Sequence, residues 1–286
     1  MNDLVSTEWL AARLDENSGD SRLVLLDASA HLPAAQRDAA SEFEAAHIPG
    51  ARFLDLASWI DPQSPVPSAV PNADQFTERL RQLGIGALDQ VVIYDDSAVK
   101  TSSRAWLIFR LHGFSEVAVL DGGLGKWCAD GRPLEAGTPG PREATGARSG
   151  PGAFSIRGKA DLLANLRHES EQVLDARGSG RFKGIEPEAR EGLPSGHIPG
   201  SLNLPFGSVL KEDGTFKPAE ELRRVFQEAS IDLDRPVITT CGSGVTAAVL
   251  LFALHLLGKT DVSLYDGSWS EWAADPHTPK ASEVAA

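Results

Sequence analysis

The tetrapeptide His-Ile-Pro-Gly occurs twice in this chain, at His47–Gly50 and at His197–Gly200, and it does not stand alone. Upstream, Leu25-Leu26-Asp27-Ala28 is answered by Val173-Leu174-Asp175-Ala176. Downstream, Asp121-Gly122 with Trp127 is answered by Asp266-Gly267 with Trp272. The order is constant and the offsets are 150, 148 and 145 residues. A repeat on this scale is a whole folding unit duplicated in tandem, and 286 residues is a length at which one core gives way to two. Of the 17 residues from Gly137 to Ala153, eight are Gly or Pro, too many for the interior of a helix or strand. The expected organisation is one domain over residues 1–136, a Gly/Pro-rich linker over 137–157 with the boundary near residue 145, and a second domain over 158–286.

Within each copy, short apolar runs rich in β-branched residues alternate with helical patterns. In the second copy the runs are Gln172–Asp175, Pro236–Thr240 and Val262–Tyr265, with Thr246–Leu257 reading as a helix buried all round. In the first copy Val91–Tyr94, Ser103–Leu111 and Val117–Leu120 play the same parts. Strands alternating with helices predict an α/β fold, a mostly parallel sheet in each domain with helices on both faces. Ligands of such sheets bind beyond the carboxyl ends of the strands.

Charge and cysteine content narrow the chemistry. With 27 Lys and Arg against 40 Asp and Glu the formal charge is −13, and no run is basic, so neither nucleic acid nor an anionic membrane surface is an expected partner. An anionic substrate would need local arginines. No apolar stretch is long enough to span a bilayer, and Met1-Asn2-Asp3-Leu4 does not start a secretory signal. The cysteines are only Cys128 and Cys241, which make no disulfide framework, no Cys-x-x-Cys pair and no zinc cluster. No zinc site is expected, and the cytoplasm is the expected compartment.

Cys241 has a distinctive setting. It follows the strand ending in Thr239-Thr240 and opens the loop Cys241-Gly242-Ser243-Gly244-Val245-Thr246 before the buried helix. Two glycines let the backbone curl so that several N–H groups converge beside a helix N-terminus, a setting that favours sulfur in its ionised, nucleophilic form. Ser243 offers a hydroxyl that can donate or relay a proton, and Thr246 one that can cap the helix and face the sulfur. At offset 145 the residue opposite Cys241 is Asp96, so the first copy is expected to lack a nucleophile. Cys128, in Lys126-Trp127-Cys128-Ala129, has no such context and reads as structural or incidental.

The tandem arrangement, the paired His-Ile-Pro-Gly, Asp-Gly-Ser-Trp at Asp266–Trp269 and the loop CGSGVT resemble the rhodanese-type sulfurtransferases over nearly the whole chain, and the loop resembles that of the 3-mercaptopyruvate branch. The resemblance implies two rhodanese-like domains. It also implies that Cys241 takes a sulfane sulfur as a persulfide and passes it to cyanide, a small thiol or thioredoxin, with pyruvate released and no metal or cofactor needed. On the same basis Gly242, Gly244, Val245 and Thr246 line the substrate site, and Arg181 and Arg190 hold the donor. A guanidinium can grip a carboxylate with two parallel hydrogen bonds. Arg177 reads instead as a structural arginine paired with nearby acids. Ser243, His47 and Asp38 match positions proposed in the family as a proton relay, although His197 occupies the same repeat position as His47, which points to a turn-forming element. Thiosulfate-preferring relatives carry basic residues after the cysteine, where this chain has Gly242 and Ser243; a thiosulfate sulfurtransferase is the alternative, and a non-catalytic sulfur-carrier or binding module a more distant one. A cysteine phosphatase would need an arginine where Ala247 stands.

Overall fold

In a computed structural model, residues 1–16, 22–143 and 146–283 are described. They form two compact units, one of Met1–Asp61, Val70–Ala153 and Glu212–Phe216, the other of Pro62–Ala69, Phe154–Lys211 and Lys217–Ala286. The boundary expected near residue 145 lies outside the described residues. The last three residues of the expected linker, Ser155–Arg157, are an edge strand of the second sheet. Residues 137–143 and 146–153 are laid along the first unit by main-chain bonds such as Gly137 N–H to Glu44 O (2.8 Å) and Gly150 N–H to His112 O (2.8 Å). A Cβ at Gly152 would stand 2.1 Å from the Leu111 carbonyl oxygen, so only glycine lets the strap lie this close.

The first unit runs β1 (Leu4–Val5), α1 (Thr7–Glu16), β2 (Leu23–Asp27), α2 (Ala39–Ala45), β3 (Ala51–Phe53), α3 (Ala73–Leu83), β4 (Gln90–Tyr94), α4 (Thr101–Leu111), β5 (Val117–Leu120) and α5 (Gly123–Ala129). The second runs β6 (Ser155–Arg157), α6 (Lys159–His168), β7 (Gln172–Asp175), α7 (Ser179–Lys183), β8 (Leu202–Asn203), α8 (Ala219–Glu228), β9 (Val237–Thr240), α9 (Val245–Leu256), β10 (Val262–Tyr265) and α10 (Ser268–Ala274). The sheet orders are β1-β5-β4-β2-β3 and β6-β10-β9-β7-β8, the same topology twice, and every pairing between these strands is parallel.

The topology places the helices. The connections from β1 to β2 and from β2 to β3 travel one way across the sheet, and those from β3 to β4 and β4 to β5 travel the other. Right-handed crossovers then put α1 and α2 on one face and α3 and α4 on the opposite face. Packing agrees: Leu10, Phe43 and Trp127 share a cluster with Val92 and Tyr94. Phe76 of α3 and Phe109 of α4 meet edge to face at 5.4 Å in a separate aromatic group. In the second unit α9 is buried from Ala247 to Leu254, as its apolar sequence predicts. Strand order reverses between β4 and β2, and between β9 and β7, so the carboxyl ends of β7 and β9 flank a topological switch point.

The pairing register corrects one expectation. Tyr94 stands opposite Asp27 and Thr240 opposite Asp175, and the two aspartates are equivalent. Tyr94 therefore answers Thr240, and the counterpart of Cys241 is Asp95, not Asp96. The loop before α4 holds six residues against four before α9 while α4 is one residue shorter than α9, so the offset of 146 on these strands becomes 145 at β5 and β10. Asp96 is instead an exposed partner of Arg37 at 2.6 Å.

Candidate active site

β9 delivers Cys241 to the switch point, and the turn after it is held from behind. The Cys241 carbonyl accepts from Trp269 N–H (2.9 Å), and the Gly242 carbonyl from Ser270 N–H (3.0 Å) and the Ser270 hydroxyl (2.6 Å). The first N–H groups of α10, which have no partner within the helix, thus satisfy two loop carbonyls. The Cys241 N–H donates to the Ser268 hydroxyl (3.2 Å), which donates to Tyr265 O (2.9 Å). Ser268 adopts φ +49°, a left-handed conformation that a serine takes only at a cost of order 1 kcal/mol, and it is fully buried.

With its carbonyls tied back, the loop turns an amide towards the sulfur: Gly244 N–H donates to Cys241 Sγ at 3.1 Å. Gly244 caps α9 at φ +79°, with no side-chain bond across the cap. Thr246, expected as the cap, lies inside α9 as its second residue because the glycine already makes the turn. Cys241 is 2% exposed, while Gly242, Ser243, Val245 and Thr246 are half-buried around it, so the sulfur sits just beneath the loop.

β7 delivers the cations. Arg177 is buried, chelates Asp175 (Nη2 at 2.6 Å, Nε at 3.0 Å), donates to Gly196 O (2.7 Å) and Glu188 Oε1 (2.6 Å), and stacks over the Trp269 ring at 4.6 Å. Burial opposes its charge, but the two carboxylates outweigh that and hold the guanidinium above its ordinary range. The structural role expected for Arg177 is what its contacts show. Arg181, on α7, lies against the cysteine loop: a Cβ on Gly242 would be 3.2 Å from Arg181 Nη2. Its Nε and Nη2 both bind Oε2 of Glu188. Arg190 is exposed and lines a cavity of about 460 Å³ with Leu193, Ser270, Glu271 and Ala274. Ser270 joins that cavity to the loop through its bonds to Gly242.

His47 and Asp38 belong to the first unit. His47 is buried, stacked on Phe43 with ring centroids 4.0 Å apart; its Nδ1 donates to Phe43 O (2.7 Å) and its Nε2 lies 3.2 Å from Glu135 Oε1. His197 repeats this, stacked on Phe182 at 3.9 Å with Nδ1 donating to Phe182 O (2.8 Å). Both histidines also make an antiparallel main-chain bridge, to Glu135 and Ala281. Asp38 is the N-cap of α2, accepting from Ser41 N–H at 2.8 Å, and these bonds hold its carboxyl below the usual range. Cys128 is exposed, with its thiol pushed up by desolvation and by Asp96. Among the described residues no cluster of His, Cys, Asp or Glu is arranged to hold a metal, and no helix is long and apolar enough to cross a membrane.

Sequence reasoning missed Ser268, Glu188 and the Trp269 stack. Ser268 was detectable as the place where Asp-Gly-Gly-Leu of the first copy becomes Asp-Gly-Ser-Trp. Glu188, among Glu186 and Glu191, carried no distinguishing signal.

Twin parallel sheets, one carrying a cysteine under a glycine-rich turn at its switch point, define a rhodanese-type protein. The Rhodanese-like domain matches residues 6–130 and again 159–275, and the chain belongs to this family. It is 44% identical over 271 residues to the human 3-mercaptopyruvate sulfurtransferase, covering 94% of this chain and 91% of that protein. It is also 41% identical to the thiosulfate sulfurtransferase of Cricetulus griseus, over 96% of this chain and 94% of that one. Among solved structures, the 3-mercaptopyruvate sulfotransferase SseA of Escherichia coli superposes with a TM-score of 0.83 at 34% identity, over 95% of this chain and all of that one.

Proposed function

We propose that this chain is a sulfurtransferase that takes sulfur from 3-mercaptopyruvate. The observation that carries the reading is the Gly244 N–H aimed at Cys241 Sγ, with the Arg181 guanidinium against the same turn. The Cys241 thiolate attacks the donor sulfur, forming an S–S bond as the donor C–S bond breaks. The electron pair of that bond leaves on carbon as the pyruvate enolate, which takes up a proton to become pyruvate. A nucleophilic acceptor, whether a small thiol, thioredoxin or cyanide, then attacks the outer sulfur and returns Cys241 as thiolate. Arg190 is exposed and meets the donor carboxylate, Arg181 stands with its Nη2 beside Gly242 of the loop, and Ser243 supplies a hydroxyl for the proton.

The neutral pair Gly242-Ser243 favours a monoanionic donor over thiosulfate, and the thiosulfate-named relatives keep that alternative in view. A reducing compartment, with the cytoplasm as the specific expectation, fits two free thiols. The duplicated geometry of His47 and His197 supports a turn-holding role for both, and the helix cap does the same for Asp38. Turnover lost more than about tenfold in His47→Gln or Asp38→Asn at an unchanged unfolding midpoint would instead establish a relay.

The test is mass spectrometry of Cys241 after each donor. 3-Mercaptopyruvate should add one sulfur atom, and Arg190→Ala should raise the KM for that donor about tenfold or more. No adduct from 3-mercaptopyruvate, with a ready adduct from thiosulfate, would transfer the assignment to the alternative.

A further inference from the structure

Arg181 does not reach the cysteine loop as a free cation. Its Nε and Nη2 are both taken by Glu188 Oε2, the edge a donor carboxylate would otherwise use for a parallel pair of bonds. Glu188 Oε1 accepts at 2.6 Å from Arg177, whose other donors go to Asp175 and Gly196 O. The Glu188 side chain is only 3% exposed, although it follows a stretch of exposed residues, Ile185 to Pro187. Asp175, Arg177, Glu188 and Arg181 thus form an alternating chain of zero net charge. It runs from the end of β7 to the turn holding Cys241, and its second member stacks on Trp269, which itself bonds the Cys241 carbonyl.

Removing a partner from a buried ion pair leaves a charge without compensation, so Glu188 is held firmly by the fixed Arg177. Through Glu188 that rigidity passes to Arg181, which stands on a five-residue helix and is 28% exposed. The same carboxylate cancels much of the positive field that Arg181 would cast on the sulfur.

We propose that Glu188 is a positioning residue that aims Arg181 at the cysteine loop while muting its charge. Arg181 then acts as a directed hydrogen-bond donor, and Arg190 carries the free charge that attracts the donor. This deepens the assignment above and rests on it for the donor's identity. Its first test needs no sulfur donor.

The full-length protein is alkylated at low ionic strength with iodoacetate and with iodoacetamide, reagents of similar size that differ in a carboxylate, and the rate is read on the Cys241 peptide. Glu188→Gln removes the charge at nearly constant shape. It should raise the iodoacetate-to-iodoacetamide rate ratio about threefold to tenfold, and Arg181→Ala in the same background should abolish the rise. A ratio unchanged from wild type, or one that rises equally without Arg181, overturns the proposal. Glu188→Asp keeps the charge but cannot span both arginines, and serves should the glutamine variant not fold. Its ratio should stay near wild type while kcat with 3-mercaptopyruvate falls about tenfold at a KM changed less than about twofold. A fall in KM or stability without loss of kcat overturns the positioning role. If wild-type Cys241 gains no sulfur from 3-mercaptopyruvate, the assigned donor fails while the alkylation ratio still decides on Glu188.

Discussion

The same strand-to-helix turn is built twice in this chain and filled with two different hydrogen-bond acceptors. In the first unit it holds Asp95, 2% exposed, whose Oδ1 accepts from Ser97 N–H (2.9 Å) and whose Oδ2 accepts from Ser102 N–H (2.8 Å) at the start of α4. In the second it holds Cys241, whose sulfur accepts from Gly244 N–H. The strands, helices and the backing bond match: Leu124 N–H to Asp95 O (3.0 Å) answers Trp269 N–H to Cys241 O (2.9 Å). The comparison teaches that the turn itself aims main-chain amides at whatever side-chain acceptor fills it. In the first copy a carboxylate makes it a structural plug; in the second a polarisable sulfur under a glycine loop occupies it, the centre of the proposed reaction. A second difference lies behind the turn. Gly123 of the first copy cannot carry a side chain, since a Cβ there would be 2.2 Å from Asp95 O; its counterpart Ser268 accepts φ +49° and holds the Cys241 N–H.

Exchanging the two fillings breaks the comparison most severely. Cys241→Asp should leave a folded protein in which sulfur transfer falls by about a thousandfold or more, with Cys241→Ser equally inactive; residual turnover above that level in an acceptor-coupled assay would move the chemistry elsewhere. Asp95→Ala should cost about 2–4 kcal/mol in denaturant unfolding of the first unit, because Ser97 and Ser102 N–H groups lose a buried acceptor, while turnover per folded molecule persists. An unfolding midpoint unchanged by this substitution would show that the plug is not needed. Ser268→Gly installs the first copy's glycine in the second. It should relieve backbone strain yet leave the Cys241 N–H without its hydroxyl, lowering kcat several-fold, about 1 kcal/mol in barrier, with stability held or raised. The smallest effect is expected at Cys128. Burial and Asp96 raise its thiol above the ordinary range, so alkylation there should grow only as the pH climbs beyond that range. Cys128→Ser should leave persulfide formation within about twofold of wild type.

Much of this was legible from residue order. The duplication, the parallel α/β class, the buried helix of α9 and the glycine loop that carries Cys241 all follow from local pattern: period, β-branched runs and glycine placement. Arg177 could be read as structural because acids surround it. The alignment of Cys241 with Asp96 failed by one residue because a net one-residue difference between strand and strand leaves no trace of its place in offsets measured from flanking motifs. Strand pairing, a hydrogen-bond register, located it.

Sequence alone determined that this chain folds as two copies of one parallel unit and that the later copy sets a cysteine in a glycine loop between a strand and a buried helix. Both depend on properties that neighbours along the chain confer. Only the tertiary structure decided that Asp95 fills the sister turn, that Ser268 braces the cysteine from another helix, and that Glu188 ties Arg181 to a buried arginine. Those relations join residues that are close in space through sheet order, and a long-range contact between common residue types has no local signature.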